Sequence, residues 1–267
     1  MNRLSSPASR DGRFYDAQGK IYPHISTITV DGKPMVRKTD TLYELGDPIL
    51  AQRLREEQVE FFQALTESPS QFVLAPQSWR LDDEGLTTIW PMVEHQTLSS
   101  RSGVDGMLAA KVLRGDITPR KLLEFMIAWT AAIAHINELG FVHGDVNNNN
   151  VFVDYSAKES PKPLVFDYDV LSRINKSRDS GFGSDPLKDV KDLSKRFMYL
   201  TTLNIEGRAE RSLTGEWIDS LYNQIVFGLE GKLSAEKLSA RLTNLTRRSD
   251  NWKSVPVDES NLSRISV

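Results

Sequence analysis

Two short stretches hold the side chains of this sequence best suited to chemistry. They are His143-Gly144-Asp145-Val146-Asn147-Asn148-Asn149-Asn150-Val151-Phe152-Val153-Asp154 and Leu164-Val165-Phe166-Asp167-Tyr168-Asp169. Asn150 and Asp167 offer hard oxygen atoms of the kind that hold magnesium. Asp145 can accept the proton of an attacking hydroxyl or orient that hydroxyl. The chain has no cysteine, which excludes disulfides and thiolate chemistry, so any metal must be held by Asp, Glu, Asn or His. A plainer reading stands beside this one, because Asn tolerates turn geometry and an Asn-rich turn between strands needs no catalytic explanation.

The spacing resembles the signature of the protein-kinase-like fold: a His, an Asp two residues on, an Asn five residues after that Asp, and a second Asp leaving a later strand. His143, Asp145, Asn150 and Asp167 take those four places. The resemblance runs over roughly residues 20–205 and implies an α+β, two-lobed fold, with a small antiparallel-sheet N-lobe bearing one helix and a mainly helical C-lobe. It further implies ATP and magnesium as cofactors. In phosphoryl transfer the protein does little covalent work; it holds magnesium against the phosphates and aims a hydroxyl in line. Asn150 and Asp167 would carry the metal and Asp145 would face the acceptor. Asp189, ahead of Leu193, Phe197 and Leu200, resembles the start of the helix that anchors this loop, hydrogen-bonding the backbone near His143.

These residues need elements to position them. Residues 25–30 and 33–38 read as β-branched strands joined by the two-residue turn Asp31-Gly32. Val36 and Lys38 then fall on the strand that in kinases touches the α and β phosphates, although a Lys on a strand edge is more often solvated surface. Residues 48–65 show helical spacing, with Leu50, Leu54, Phe61 and Leu65 near one face. A helix here would carry the carboxylate partner of Lys38. Glu56, Glu57 and Glu60 compete for that role, and Glu57 fits the family pattern best. A second hairpin is expected over 77–90, turning at 82–85. Residues 90–98 resemble the hinge between kinase lobes, with Trp90 behind an adenine pocket and Met92 and Val93 supplying backbone groups, since Pro91 has no N–H to donate.

Thr118-Pro119 is a helix start, and Leu122, Met126, Trp129, Ile133 and Ile136 recur at helical spacing until Gly140 ends the helix. Residues 151–153 and 164–166 are short apolar strands that would hold Asn150 and Asp167 side by side, with Phe152 beneath the adenine and Val36 above it. Asp169 replaces the Gly of the usual Asp-Phe-Gly and reads as a second carboxylate near the metal or, with slight preference, as a turn residue. Two further amphipathic helices are expected at 217–229 and 233–245. The N-lobe is assigned to 1–93, the C-lobe to 94–250 and a polar tail to 251–267.

The chain departs from the family in several places. No Gly-x-Gly-x-x-Gly lies near the first hairpin, so the phosphates would be covered by a loop around residues 16–20. Gly144 replaces the usual Arg, a form shared with aminoglycoside-phosphotransferase-like and lipopolysaccharide-kinase-like enzymes. No Ala-Pro-Glu follows Asp167, and residues 170–188 read as a Ser-rich, basic surface loop holding Ser172, Arg173, Ser177, Ser180 and Ser184. The leading expectation is an ATP- and magnesium-dependent kinase of atypical type acting on protein Ser or Thr. The alternatives are a kinase of a small molecule or lipopolysaccharide sugar, a nucleotide-binding pseudokinase, and an AMP transferase, since fold does not set the reaction.

With 267 residues, 39% of them apolar, the chain can bury a real core. A net charge of −3 and a pI of about 5.9 give no basic field for nucleic acid. Residues 1–19 lack an apolar signal core and no segment approaches a membrane span, so the expectation is a soluble protein, cytoplasmic or exported as an effector.

Overall fold

The computed structural model describes residues 13–15, 21–41, 47–93, 96–98, 117–154, 161–174, 185–205, 208–211, 213–214, 216–246 and 253–254. The chain enters an antiparallel sheet with β1 (Arg13–Tyr15), β2 (Ile21–Val30) and β3 (Lys33–Thr41). Asp31 and Gly32 have φ of 50° and 75°. Two successive positive-φ residues make the hairpin turn whose twist matches its strands, which is why the predicted turn is present and its strands extend beyond the predicted ends. β4 (Ser78–Asp82) and β5 (Gly85–Pro91) form the second hairpin and complete the order β1-β2-β3-β5-β4.

Between the hairpins runs α1 (Pro48–Glu67). The carboxylate of Asp47 accepts from the N–H groups of Ile49 (3.0 Å) and Leu50 (3.1 Å), and Pro48 opens the first turn, so the exposed donors of the helix start are satisfied. The helix buries Leu54, Phe61, Phe62 and Leu65, but also Arg55, Glu57 and Gln58. Its inward side therefore faces polar groups as well as core.

Next come β6 (Gln96–Thr97), α2 (Pro119–Glu138), β7 (Phe141–Val142), β8 (Val151–Asp154), β9 (Lys162–Val165) and β10 (Ser172–Arg173). β6, β8 and β9 form one small sheet, and β7 pairs with β10. Thr118 caps α2 by accepting from the Lys121 N–H at 3.3 Å, and Gly140, at φ 91°, lets the chain leave it. The predicted apolar stripe of α2 is buried throughout; Trp129 lies edge-on to Phe125 and Phe197, each at 5.9 Å.

α3 (Pro186–Thr201), α4 (Glu216–Leu229) and α5 (Ala235–Thr246) complete the helical part. α2 packs on α5 and α3, while α4 packs on α3 and α5. Two short pairings were not expected from the sequence: β11 (Thr202–Ile205) with β12 (Arg208–Arg211), and β13 (Leu213–Thr214) with β14 (Lys253–Ser254), which places two tail residues in a strand. The described residues form an α+β fold with a small antiparallel sheet toward the N-terminus and five helices, none of them long and apolar enough to cross a membrane.

Ser172 and Arg173 were expected in a surface loop; they lie in β10, with Ser172 buried. The loop at 16–20, residues 155–160 of the insert, and Ser177, Ser180 and Ser184 lie outside the described residues.

Candidate active site

Strand alternation sends Val36, Lys38 and Asp40 of β3 to one face, opposite Trp90, Thr88 and Leu86 of β5 in the antiparallel register. All six line one cleft. The Trp90 indole donates to Thr88 Oγ1 (2.7 Å), which donates to the Lys38 carbonyl (3.3 Å), so the strand pair is braced where Lys38 leaves it. The opposite wall carries Phe152 and Phe166, stacked at 4.0 Å and 14° between planes. Met92 and Val93 also line the cleft. A mostly apolar slot ending in a few convergent polar groups is the usual form of a small-molecule site. Of the predicted nucleotide contacts, Val36, Lys38, Trp90, Met92, Val93 and Phe152 meet here; Phe166 was read only as a strand residue, and its stack on Phe152 is a tertiary contact that strand periodicity does not reveal.

The polar end is built around Lys38. Its ammonium lies 3.5 Å from Asp40 and 3.4 Å from Asp167, and donates a hydrogen bond to Asp169. Burial pulls the ammonium toward neutrality, but Asp167, Asp169 and Asp40 more than reverse it and hold the charge firmly. Asp167 responds in the opposite sense: burial, against the pull of Lys38 and with the repulsion of Asp169, pushes its carboxyl up to about 7. Burial also opposes ionisation of Asp169, yet Lys38 and then Arg55 leave it below the usual carboxylate range. Asp169 is therefore a member of the cluster and not only the turn residue favoured from sequence. Asp40 was legible in principle, two residues from Lys38 on an alternating strand.

The expected pairing of Lys38 with Glu57 is corrected by the geometry. Glu57 accepts from Arg53 Nε (3.0 Å) and from the Arg173 backbone N–H (2.9 Å). Glu56 accepts from Gln52 (2.8 Å) and Glu60 from Arg173 Nε (2.6 Å). A helix turns about 100° per residue, so Glu57 faces β10 while its neighbour Gln58 lines the cleft and donates to the Tyr168 carbonyl at 2.5 Å.

Beside the cleft, the loop at 143–150 is held from behind. Asp189 accepts from the N–H groups of His143 (2.8 Å) and Gly144 (2.9 Å), as expected of it. His143 Nε2 meets the Phe166 carbonyl at 3.1 Å; a carbonyl can only accept, so that nitrogen carries the proton and Nδ1 receives the Asp145 N–H at 3.4 Å. Burial lowers the His143 pKa and keeps the ring neutral, as this pattern requires. Gly144 has φ of 80°, and a Cβ there would lie 2.7 Å from the Val170 carbonyl oxygen. A side chain there would force the Val170 backbone aside, so the position calls for glycine. The Lys188 ammonium, from α3, donates to the Gly144 carbonyl.

Asn150 donates to the Asp145 carboxylate (2.9 Å) and carbonyl (3.0 Å), which turns its amide nitrogen onto Asp145 and leaves its oxygen for another partner. The Phe166 N–H donates to the Asn150 carbonyl (3.0 Å) and so sets Asn150 next to the chain that carries Asp167. Asn147 makes a turn of the kind the plainer reading described, accepting from the Asn149 N–H at 2.7 Å. The Asn-rich run is thus both turn former and side-chain donor. Asp167 itself sits at φ 66°, a left-handed conformation costing a non-glycine residue about 1–2 kcal/mol; such strain clusters where a side chain must be aimed. Tyr168 supports it, fully engaged through its hydroxyl with the Leu74 (3.0 Å) and Val165 (2.8 Å) carbonyls and packed near Phe61 (4.9 Å) and His143 (5.5 Å).

The donor chemistry of Asn150 and Asp167 fits a hard divalent cation; among the described residues no group of three or more His, Cys, Asp or Glu side chains is arranged to hold a metal by itself. No protein-family model matches the chain, and no curated protein matches it in sequence.

Proposed function

We propose that this chain is an ATP- and magnesium-dependent phosphotransferase with a two-lobed, protein-kinase-like fold, transferring to a hydroxyl acceptor. The observation that carries the reading is convergence. A strand lysine and a strand-end aspartate, far apart in sequence, meet at the polar end of one apolar cleft, and a loop Asp–Asn pair is tied beside it to the chain that carries that aspartate. The apolar slot between Val36 and Phe152 suits a purine, with backbone groups of Met92 and Val93 at its edge. Lys38 would contact the α and β phosphates, and Asn150 and Asp167 would hold magnesium, which neutralises the phosphates when bound. Asp145, oriented by Asn150, would receive or align the acceptor hydroxyl. Asp189 and His143 keep that loop in shape without touching the reaction.

The acceptor we favour is a protein Ser or Thr. A small molecule or sugar is the second reading, favoured by Gly144 and by the short run of 22 residues from Asp167 to Asp189, which leaves little chain for a docking platform. The test is incubation with γ-labelled and, separately, α-labelled ATP plus magnesium, beside Asp145→Ala. γ-Label on protein that vanishes in the variant supports the leading reading. γ-Label only on an added sugar or other small acceptor supports the second. α-Label means nucleotide transfer and contradicts both.

A further inference from the structure

Helix α1 brings no glutamate to Lys38. It brings Gln58 to the cleft, with Arg55 hydrogen-bonded to it. Arg55 is 3% exposed; its Nη1 donates to Gln58 Oε1 (2.9 Å), and Gln58 in turn donates to the carbonyl of Tyr168, the residue before Asp169. Its Nε, also buried, has no hydrogen-bond partner among the described residues. An unsatisfied buried donor on a charged group is costly and calls for a partner in some state of the molecule. Asp169 accepts from Lys38 and directly follows Tyr168, whose carbonyl the Arg55–Gln58 pair holds, so this guanidinium lies on the chain segment that carries Asp169. Of the ion-paired groups, Asp169 is the most accessible, its side chain 32% exposed against 12% for Asp167 and 14% for Lys38. It is the one with room to move.

We propose that Asp169 is a transferable counter-ion: without nucleotide it occupies the Lys38 ammonium, and when phosphates take that ammonium it passes to the unpartnered Nε of Arg55. This rests on the nucleotide reading given above and adds a device to it. Asp169 and Arg55 act through Lys38 as positioning residues, and α1 is coupled to nucleotide binding through an arginine. A Lys38 released in about a tenth of molecules or fewer lowers apparent ATP affinity about tenfold or more, while a ligand without phosphates is indifferent to the exchange.

The test compares ATP with adenosine by titration calorimetry, with magnesium present, on the full chain and on Asp169→Asn, Arg55→Met and the double variant. Adenosine affinity reports an intact cleft in each variant. The expected result is ATP affinity raised about tenfold by Asp169→Asn, lowered by Arg55→Met, and insensitive to Arg55→Met once Asp169 is Asn. Arg55→Met weakening ATP equally in both backgrounds means that Arg55 acts directly on the phosphates and overturns the exchange. Asp169→Asn weakening ATP, or leaving it unchanged, overturns it as well. Failure of the unsubstituted chain to bind either ligand overturns the nucleotide reading itself, and this inference with it.

Discussion

A single ammonium facing three carboxylates leaves an excess of negative charge at the end of the cleft, and Asp167 bears it. Its carboxyl titrates near 7 in the folded chain against 3.8 for the free group. The native state therefore holds a proton across that interval which the unfolded chain has released, and stability from this source is lost as pH rises through about 7. Asp167→Asn mimics the protonated form. The variant should gain stability relative to the unsubstituted protein as pH rises from about 4 to about 7 and hold a constant difference above that, read from thermal melts without metal; a difference that stays flat between about 4 and 7 would contradict the assignment. At this scale the sequence was informative about residue type and poor about partners. The contact of Asn150 with Asp145 was legible because one loop sets their spacing, and the bracing by Asp189 because it lies at the head of the helix behind that loop. Of the partners of Lys38, Asp40 follows from strand alternation, whereas Asp169 is a contact between distant parts of the chain that local spacing does not reveal.

Helix α1 illustrates the same limit for elements. Its existence follows from apolar spacing and from the Asp47-Pro48 start, but its rotation about its own axis is set by packing of Phe61 and Phe62 against Trp79, Trp90 and Tyr168. A shift of one residue decides between Glu57 and Gln58 at the cleft. With Glu57 tied to the Arg173 backbone instead, the helix is fastened to β10. Glu57→Ala should cost about 1.5–3 kcal/mol, the range for a hydrogen bond to a charged group, in denaturant unfolding. Glu57→Gln, which keeps an acceptor, should leave ATP affinity within about twofold, while Lys38→Met should lose most of it. A fall in ATP affinity with Glu57→Gln as large as with Lys38→Met would restore the pairing expected from sequence. The contact of Arg173 with Glu60 is solvent-exposed on both sides and adds little.

Across the whole molecule, the hairpin at Asp31-Gly32 and the capped helix α2 were readable because local rules decide them. The small pairings β11-β12 and β13-β14 were not, since nothing local distinguishes them from loop. The core gathers around α2, whose Trp129 is 1% exposed; Trp129→Ala should remove about 3–5 kcal/mol of stability, seen as a lowered denaturant midpoint, and a change below about 1 kcal/mol would place the core elsewhere. That core supports the helices from which Asp189 braces the loop, while the antiparallel sheet presents Lys38 from the other side. The central claim is that these two halves make one site for a magnesium-bound nucleotide. Its most direct test is calorimetric titration of the pure protein and its Lys38→Met, Asp167→Ala and Asp145→Ala variants with ATP and magnesium. The account predicts binding by the unsubstituted chain, retained by Asp145→Ala and lost by Lys38→Met and Asp167→Ala; absence of binding, or binding untouched by the Lys38 and Asp167 substitutions, would contradict it.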